Sequence, residues 1–406
     1  MSKNILFVSI AFPPKNDPEC LQTAKYFKYL SQTDFDVDVV TSKMPTLFMP
    51  KDEKLLKYFK GYRQLVEIPI PENKYVNFLI RKVSKDFLVK PDSKYKFFKQ
   101  SKKAIQQLNQ KPDLIYSRSL PLSSTFMAEK LVDHYQVPWV LHLSDPWVEC
   151  PVHKYEGALR AFHEAREQEC FTKATYICFT SRKTQEFYQE KYKKFKDKFL
   201  FFPNVYDPED IKDNSYQFGK KLKFVYTGGL QAGRSPKYVF EALKRLQAED
   251  ADLLKDTEFI FAGQFDRQNT AHFSEYNLPM VKNLGLLSYP DALALQKKAD
   301  VLMVIDTPLN NPKEAMFFPS KLLDYIIAQR RILALTDIGS TTYSVVNNKY
   351  GACYAHKDIE GLMQEIKKTV IAWRAQQTDF FYSPEIDEQY SAQYNVGRLE
   401  KLFQKI

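Results

Sequence analysis

Around residue 230 the chain reads Tyr226-Thr227-Gly228-Gly229-Leu230-Gln231-Ala232-Gly233-Arg234-Ser235-Pro236, with three of its twelve glycines in six positions. A glycine turn between an apolar strand and a helix lets the backbone approach a diphosphate closely. The helix start adds unpaired N–H groups, and Arg234 adds a fixed positive charge. Gly228 and Gly229 are the positions such a ligand would touch. The spacing is not G-x-G-x-x-G, so no nicotinamide site is read here. The same turn would also serve simply to join strand to helix.

A more specific run begins at Ala299-Asp300-Val301-Leu302-Met303-Val304-Ile305-Asp306. It crosses a polar loop and continues as Phe317-Phe318-Pro319-Ser320-Lys321-Leu322-Leu323-Asp324-Tyr325. The pattern predicts a buried strand, a loop at its carboxyl end, and a helix opening at Pro319-Ser320. Open α/β sheets bind ligands at such ends. Ser320 and Lys321 would offer first-turn N–H groups and an ammonium to a phosphate. Asp324, one turn in, would accept two hydrogen bonds from vicinal ribose hydroxyls. Its alternative is a helix-capping residue with a surface partner.

Apolar runs alternate with amphipathic stretches along the whole chain, the β-α-β rhythm of parallel sheets covered by helices. In the first half strands are expected at Ile5 to Ile10, Val37 to Thr41, Leu114 to Ser117, Trp139 to Leu143, Tyr176 to Phe179 and Phe199 to Phe202. Helices are expected at 21–30, 93–110, 123–135, 159–172 and 182–192. A break at Pro203-Asn204 and a polar stretch to about Lys220 mark a linker. A second series follows, with strands at 222–227, 258–262, 282–284, 301–305, 332–335 and 352–354. Its helices begin near Pro236, Tyr289, Ser320 and Ile359. The expected domains are 1–203, a linker 204–220, 221–380, and a terminal segment 381–406 with a helix from Ala392.

The 406 residues suit two α/β domains, and the 44% apolar content excludes a disordered chain. No apolar run approaches the roughly 20 residues of a membrane span, and no signal peptide is legible at the start. The expected location is therefore the cytosol. Five cysteines without a C-x-x-C pair and six scattered histidines suggest neither a disulfide framework nor a metal site. Residues 1–203 carry 34 Lys and Arg against 23 Asp and Glu, the remainder 25 against 26. The excess is densest at 51–103, with 15 basic and 6 acidic residues interleaved with aromatics. That segment suits an anionic membrane surface, at the inner face of a membrane, or else forms a solvated helical face. No nucleic-acid recognition module is legible, so nucleic acid is not an expected partner.

At these residues the chain resembles the family 4 retaining glycosyltransferases, which have the two-lobed GT-B fold. The resemblance covers essentially the whole chain: I-L-F-V-S-I-A-F-P-P, V-P-W-V-L-H-L-S-D-P-W, F-V-Y-T-G-G-L, F-I-F-A-G, K-N-L-G-L-L, A-D-V-L-M-V, F-P-S-K-L-L-D-Y and K-Y-G-A-C-Y, in the family's order. It implies two Rossmann-like domains facing a cleft, with the C-terminal lobe binding a nucleotide sugar and the N-terminal lobe an acceptor. The final helix would cross back to the first domain. Asp324 then matches the family's ribose-binding carboxylate, and Arg234 and Lys321 its diphosphate-binding cations. Gly228, Gly229, Phe318 and Ser320 complete the donor side.

Three departures from the family pattern stand out. Eight residues before Asp324, where a carboxylate is usual, stands Met316; Glu314 is the nearby substitute. The first-lobe loop, often Gly-Gly after Pro-Pro, here reads Pro13-Pro14-Lys15-Asn16, which implies a different acceptor or sugar contact through Pro14, Lys15 and Asn16. The usual histidine after the Trp139 to Leu143 strand is replaced by Ser144-Asp145. Asp145 is the preferred catalytic-side residue there, with His142 second, and an unperturbed Asp145 near pKa 4 would orient hydroxyls rather than act as a base. The alternative for Asp145 is a helix cap ahead of Pro146.

The expected function is transfer of a sugar, with retention, from a UDP- or GDP-sugar to a polysaccharide or polyprenyl-diphosphate-linked acceptor in cell-surface glycan synthesis. No metal and no cofactor beyond the donor are expected. The competing readings are a nucleotide-sugar epimerase of the same fold and a nucleotide-sugar-binding partner subunit.

Overall fold

The computed structural model describes residues 2–44, 49–83, 90–150, 155–211, 215–231, 233–309, 315, 316, 318–347, 349–383 and 385–406. They form two compact units, Met1–Pro208 with Glu388–Ile406, and Glu209–Asp387. Each is built on one parallel sheet, so the α/β, doubly wound class expected from the sequence is the one observed.

In the first unit the strands are β1 (Asn4–Val8), β2 (Asp36–Lys43), β3 (Gln64–Pro69), β4 (Leu114–Ser119), β5 (Trp139–Leu143), β6 (Tyr176–Phe179) and β7 (Phe199–Phe201). They lie in the order β3-β2-β1-β4-β5-β6-β7, with Ile5 beside Val37 on one side and Leu114 on the other. The helices are α1 (Pro18–Leu30), α2 (Lys74–Val83), α3 (Ser101–Gln107), α4 (Ser123–Tyr135), α5 (Gly157–Lys173) and α6 (Arg182–Lys191). Because both faces of the sheet are covered, strands such as β5 are buried along their whole length and read as continuous apolar runs.

The second unit carries β8 (Leu222–Thr227), α7 (Lys237–Glu249), α8 (Ala251–Leu254), β9 (Thr257–Ala262), α9 (Arg267–Tyr276), β10 (Val281–Asn283) and α10 (Tyr289–Lys297). It continues with β11 (Val301–Ile305), α11 (Lys321–Ala328), β12 (Arg331–Leu335), α12 (Thr341–Val346), β13 (Gly351–Tyr354), α13 (Ile359–Arg374) and α14 (Thr378–Phe381). Its strand order is β10-β9-β8-β11-β12-β13.

The last helix, α15 (Ala392–Lys405), belongs to the first unit. Ser391 caps it, its hydroxyl accepting from the Tyr394 N–H. Val396, Leu399 and Phe403 recur at helical spacing and are at most 2% exposed in the core around Phe7 and Tyr116. Burying each such side chain stabilises by about 1.5–3 kcal/mol, so this helix is integral to the first unit.

Two local expectations fail. The stretch 93–110 is not one helix: only Ser101–Gln107 is α-helical, preceded by a 3₁₀ turn at Phe98–Gln100. Asp92 pins its start to α4, accepting from the Ser123 N–H at 2.8 Å and hydroxyl at 2.7 Å, and Phe97 is fully buried. The edge strand β3 lies within the basic-aromatic segment, where Val66 and Ile68 turn inward on either side of polar Glu67.

Candidate functional site

In each sheet the strand order reverses beside the unit's first strand, between β1 and β4 and between β8 and β11. Connections leave such a point toward opposite faces and open a crevice at the carboxyl ends of the strands. In the second unit Gly228 follows β8 and Asp306 follows β11, so the two runs singled out in the sequence meet there. Gly228 has φ +119°, and a Cβ added to it would lie 2.8 Å from Lys321 Nζ. The positive φ is what calls for glycine there, and the lysine ammonium fills the space left by the missing side chain. Gly233, with φ +86°, packs against the β11 loop, where an added Cβ would stand 2.9 Å from Thr307 Cγ2.

Lys321 opens α11. Its Nζ donates to the Tyr226 hydroxyl at 2.7 Å and lies 4.1 Å from that ring's centroid, and the same hydroxyl donates to the Gly229 carbonyl at 2.8 Å. Thr227 fixes the end of β8: its N–H donates to the Tyr325 hydroxyl at 2.9 Å, and its Oγ1 accepts from Gln296 at 2.9 Å. Arg234 is anchored by its backbone, whose carbonyl accepts from Asn269 at 2.9 Å, while its guanidinium has no hydrogen bond or ion pair among the described residues. Burial, and after it the charge of Arg234, lowers Lys321 to about 7, with Asp306 pulling the other way. Asp306 is held by the Thr336 hydroxyl at 2.7 Å. Two cations thus share a glycine-walled site beside one carboxylate, and an arriving anion relieves their repulsion.

Asp324 lies in the first turn of α11, 9% exposed, and accepts from the Tyr289 hydroxyl at 3.1 Å. Ser320 caps α11 without a side-chain capping bond, and Phe318 is half-buried just before it. Met316 is buried, and Glu314 lies outside the described residues. Gly228, Gly229, Arg234, Ser320, Lys321 and Asp324 therefore belong to one end of one sheet. Sequence reasoning gave no role to Tyr226, Thr227, Gln296, Tyr325 or Asp306; the polar ends of two apolar strands were the signal available.

Asp145 and the Pro14 to Asn16 loop belong to the first unit. Asp145 caps no helix and has no hydrogen bond or ion pair among the described residues. Burial alone raises it to about 6, which corrects the expectation of an unperturbed carboxylate. His142 is an interior residue, bonded to the Tyr116 hydroxyl at 2.7 Å and the Phe202 carbonyl at 3.1 Å. Burial, then Arg118, depresses its pKa well below the usual range.

Lys15 also departs from expectation. It is 1% exposed, burial lowers it to about 8, and among the described residues its Nζ reaches the Phe12 carbonyl at 3.4 Å and Thr41 Oγ1 at 3.5 Å. It offers no surface cation. Pro14 and Asn16 are half-buried and stitched to the next segment, the Asn16 N–H donating to the Pro50 carbonyl and the Asp52 N–H to the Pro14 carbonyl, both at 2.7 Å. Beneath this loop, fully buried Arg118 donates to Glu19 Oε1 at 3.1 Å and to Ser144 Oγ at 3.1 Å. Burial pushes Glu19 up to about 7 against the pull of Arg118.

Among the described residues no group of three or more His, Cys, Asp or Glu side chains is placed to hold a metal, and no helix is long and apolar enough to cross a membrane.

No protein-family model and no curated protein sequence matches the chain. Solved structures do. A glycosyltransferase from Rickettsia africae is 14% identical with a TM-score of 0.60, over 100% of this chain and 98% of its own. An E. coli structure described as trehalose-6-phosphate bound with UDP-2-fluoro glucose is 9% identical with a TM-score of 0.64, over 100% and 99%. A putative UDP-N-acetylglucosamine 2-epimerase from Listeria monocytogenes is 12% identical with a TM-score of 0.61, over 100% and 98%. The fold is therefore the two-domain, Rossmann-like GT-B fold, shared by glycosyltransferases that use nucleotide sugars and by epimerases.

Proposed function

We propose that the protein is a retaining glycosyltransferase, a hexosyl- or related transferase. It would move a sugar from a UDP- or GDP-sugar to a polysaccharide or lipid-linked oligosaccharide in cell-surface glycan synthesis. The observation that carries this reading is the pair Arg234 and Lys321 at the carboxyl ends of β8 and β11, with Lys321 Nζ lodged against Gly228. A diphosphate supplies the negative charge this site lacks. In retaining transfer without a protein nucleophile, the leaving phosphate takes the acceptor hydroxyl's proton on the face from which it departs. The protein's contribution is then positioning and charge stabilisation. Arg234 and Lys321 would stabilise the departing diphosphate, Ser320 and the glycine turn would supply backbone N–H groups, and Asp324 would hold the ribose. On the acceptor-binding unit Asp145, without a protein partner among the described residues, would orient an acceptor hydroxyl.

Acceptor-dependent release of nucleoside diphosphate tests the reading against its rivals. An epimerase would interconvert two nucleotide sugars without acceptor and without net release of nucleoside diphosphate, and a partner subunit would give no turnover. Asp324→Ala should lose about 1.5–3 kcal/mol of donor binding if its carboxylate makes charged hydrogen bonds to the ribose. Unchanged affinity by calorimetry would remove Asp324 from the site.

Nucleotide binding should also be linked to protons. Free Lys321 sits at about 7, and a bound diphosphate raises that value. Above pH 7 binding must then take up a proton, so affinity should fall as pH rises from 7 to 9, by at most about tenfold per unit. Calorimetry in buffers of different ionisation enthalpy measures this uptake, and Lys321→Gln should abolish it.

A further inference from the structure

A second surface, on the first unit, can be argued independently of the proposed nucleotide site. Helix α2, sequence KYVNFLIRKV, has no acidic residue. Four of its apolar side chains stand in solvent: Tyr75 at 68% exposure, Val76 at 46%, Phe78 at 58% and Leu79 at 59%. They are four of the eleven large apolar side chains exposed among the described residues, concentrated on a helix of ten. A soluble surface normally scatters such residues singly.

The spacing orders them. Tyr75, Phe78, Leu79 and exposed Lys82 stand at i, i+3, i+4 and i+7, one stripe of a helix. Lys74 Nζ lies 5.1 Å from the Tyr75 ring centroid and Lys82 Nζ 4.8 Å from that of Phe78, so the ammonium groups flank the ring faces. The surrounding segment 51–103 holds 15 basic and 6 acidic residues. An apolar stripe edged by lysines on a helix without acids has the charge and shape complementary to an anionic bilayer surface. There the rings and Leu79 enter the interface while the lysine stems extend to the headgroups.

We infer that α2 docks the protein on anionic membrane through Tyr75, Phe78 and Leu79, with Lys74 and Lys82 selecting for negative headgroups.

The test is flotation of the full chain with vesicles of phosphatidylcholine alone and with phosphatidylglycerol added at about 30%. Wild type should float with the anionic vesicles, much less with the neutral ones, and high salt should weaken binding. Phe78→Ser/Leu79→Ser should reduce the bound fraction about tenfold or more. Its thermal midpoint should stay unchanged, because both side chains are already exposed. Lys74→Glu/Lys82→Glu should remove the preference for anionic lipid. Wild type that fails to float, or a double-serine variant that floats as wild type does, would overturn the inference. So would concentration-dependent self-association that the serine variant abolishes while vesicles bind neither protein, since the stripe would then be a contact between copies.

Discussion

Under the proposed function, Lys321→Ala is expected to lower sugar transfer by about 10²–10³-fold, the usual cost of removing one preorganised donor from developing negative charge. Its ammonium fills the space a Gly228 side chain would take and is held at 2.7 Å from the Tyr226 hydroxyl, a fixed position that Ala cannot supply. Nucleoside diphosphate release measures the loss. The fall should appear in kcat as well as KM, because the diphosphate gains charge only as the sugar departs. A Lys321→Ala enzyme with undiminished kcat would place the leaving group elsewhere.

The largest stability effect is expected at Arg118. Its side chain is fully buried, and Glu19, 12% exposed, is its ion-pair partner at 3.1 Å. Arg118→Met removes the cation bonded to Glu19 and should cost about 3–5 kcal/mol, as breaking a buried pair commonly does. In a unit of this size that lowers the unfolding midpoint by on the order of 10 °C. Glu19→Gln/Arg118→Met should recover much of the loss, because no buried charge is then stranded. Calorimetric scans of the three proteins decide it. A double variant as unstable as the single would mean that Arg118 stabilises by packing rather than by pairing.

The strands were legible where both faces are buried. Trp139–Leu143, Tyr176–Phe179, Leu222–Thr227 and Val301–Ile305 are predominantly apolar runs, and their observed limits coincide with the expected ones. β3 was not legible because, as an edge strand, it buries little more than Val66 and Ile68. Helix α9 starts Arg267-Gln268-Asn269-Thr270, too polar to announce itself, and is set by the Asp266 side chain accepting from the Asn269 N–H at 2.8 Å. In the second unit, glycine and lysine identities drew attention to the ends of β8 and β11, which the sheet places side by side, since few residue types suit a phosphate. The Arg118–Glu19 pair left no such mark: ninety-nine residues separate its members, and only the closure of β1 beside β4 brings them together. Lys15 was expected to contact acceptor or sugar, and local sequence does not reveal that it is buried and bridged to Lys51.

The central claim, that Gly228, Arg234 and Lys321 form a nucleoside diphosphate site, is tested most directly by thermal unfolding with UDP, GDP, CDP and ADP in turn. A ligand at about 100 times its dissociation constant adds roughly 2.7 kcal/mol, or about 5–10 °C for a unit of this size. One nucleotide should raise the midpoint by that amount, and Arg234→Ala and Lys321→Ala should each lose most of the shift. No shift with any of the four, or a shift that survives both substitutions, would contradict the assignment.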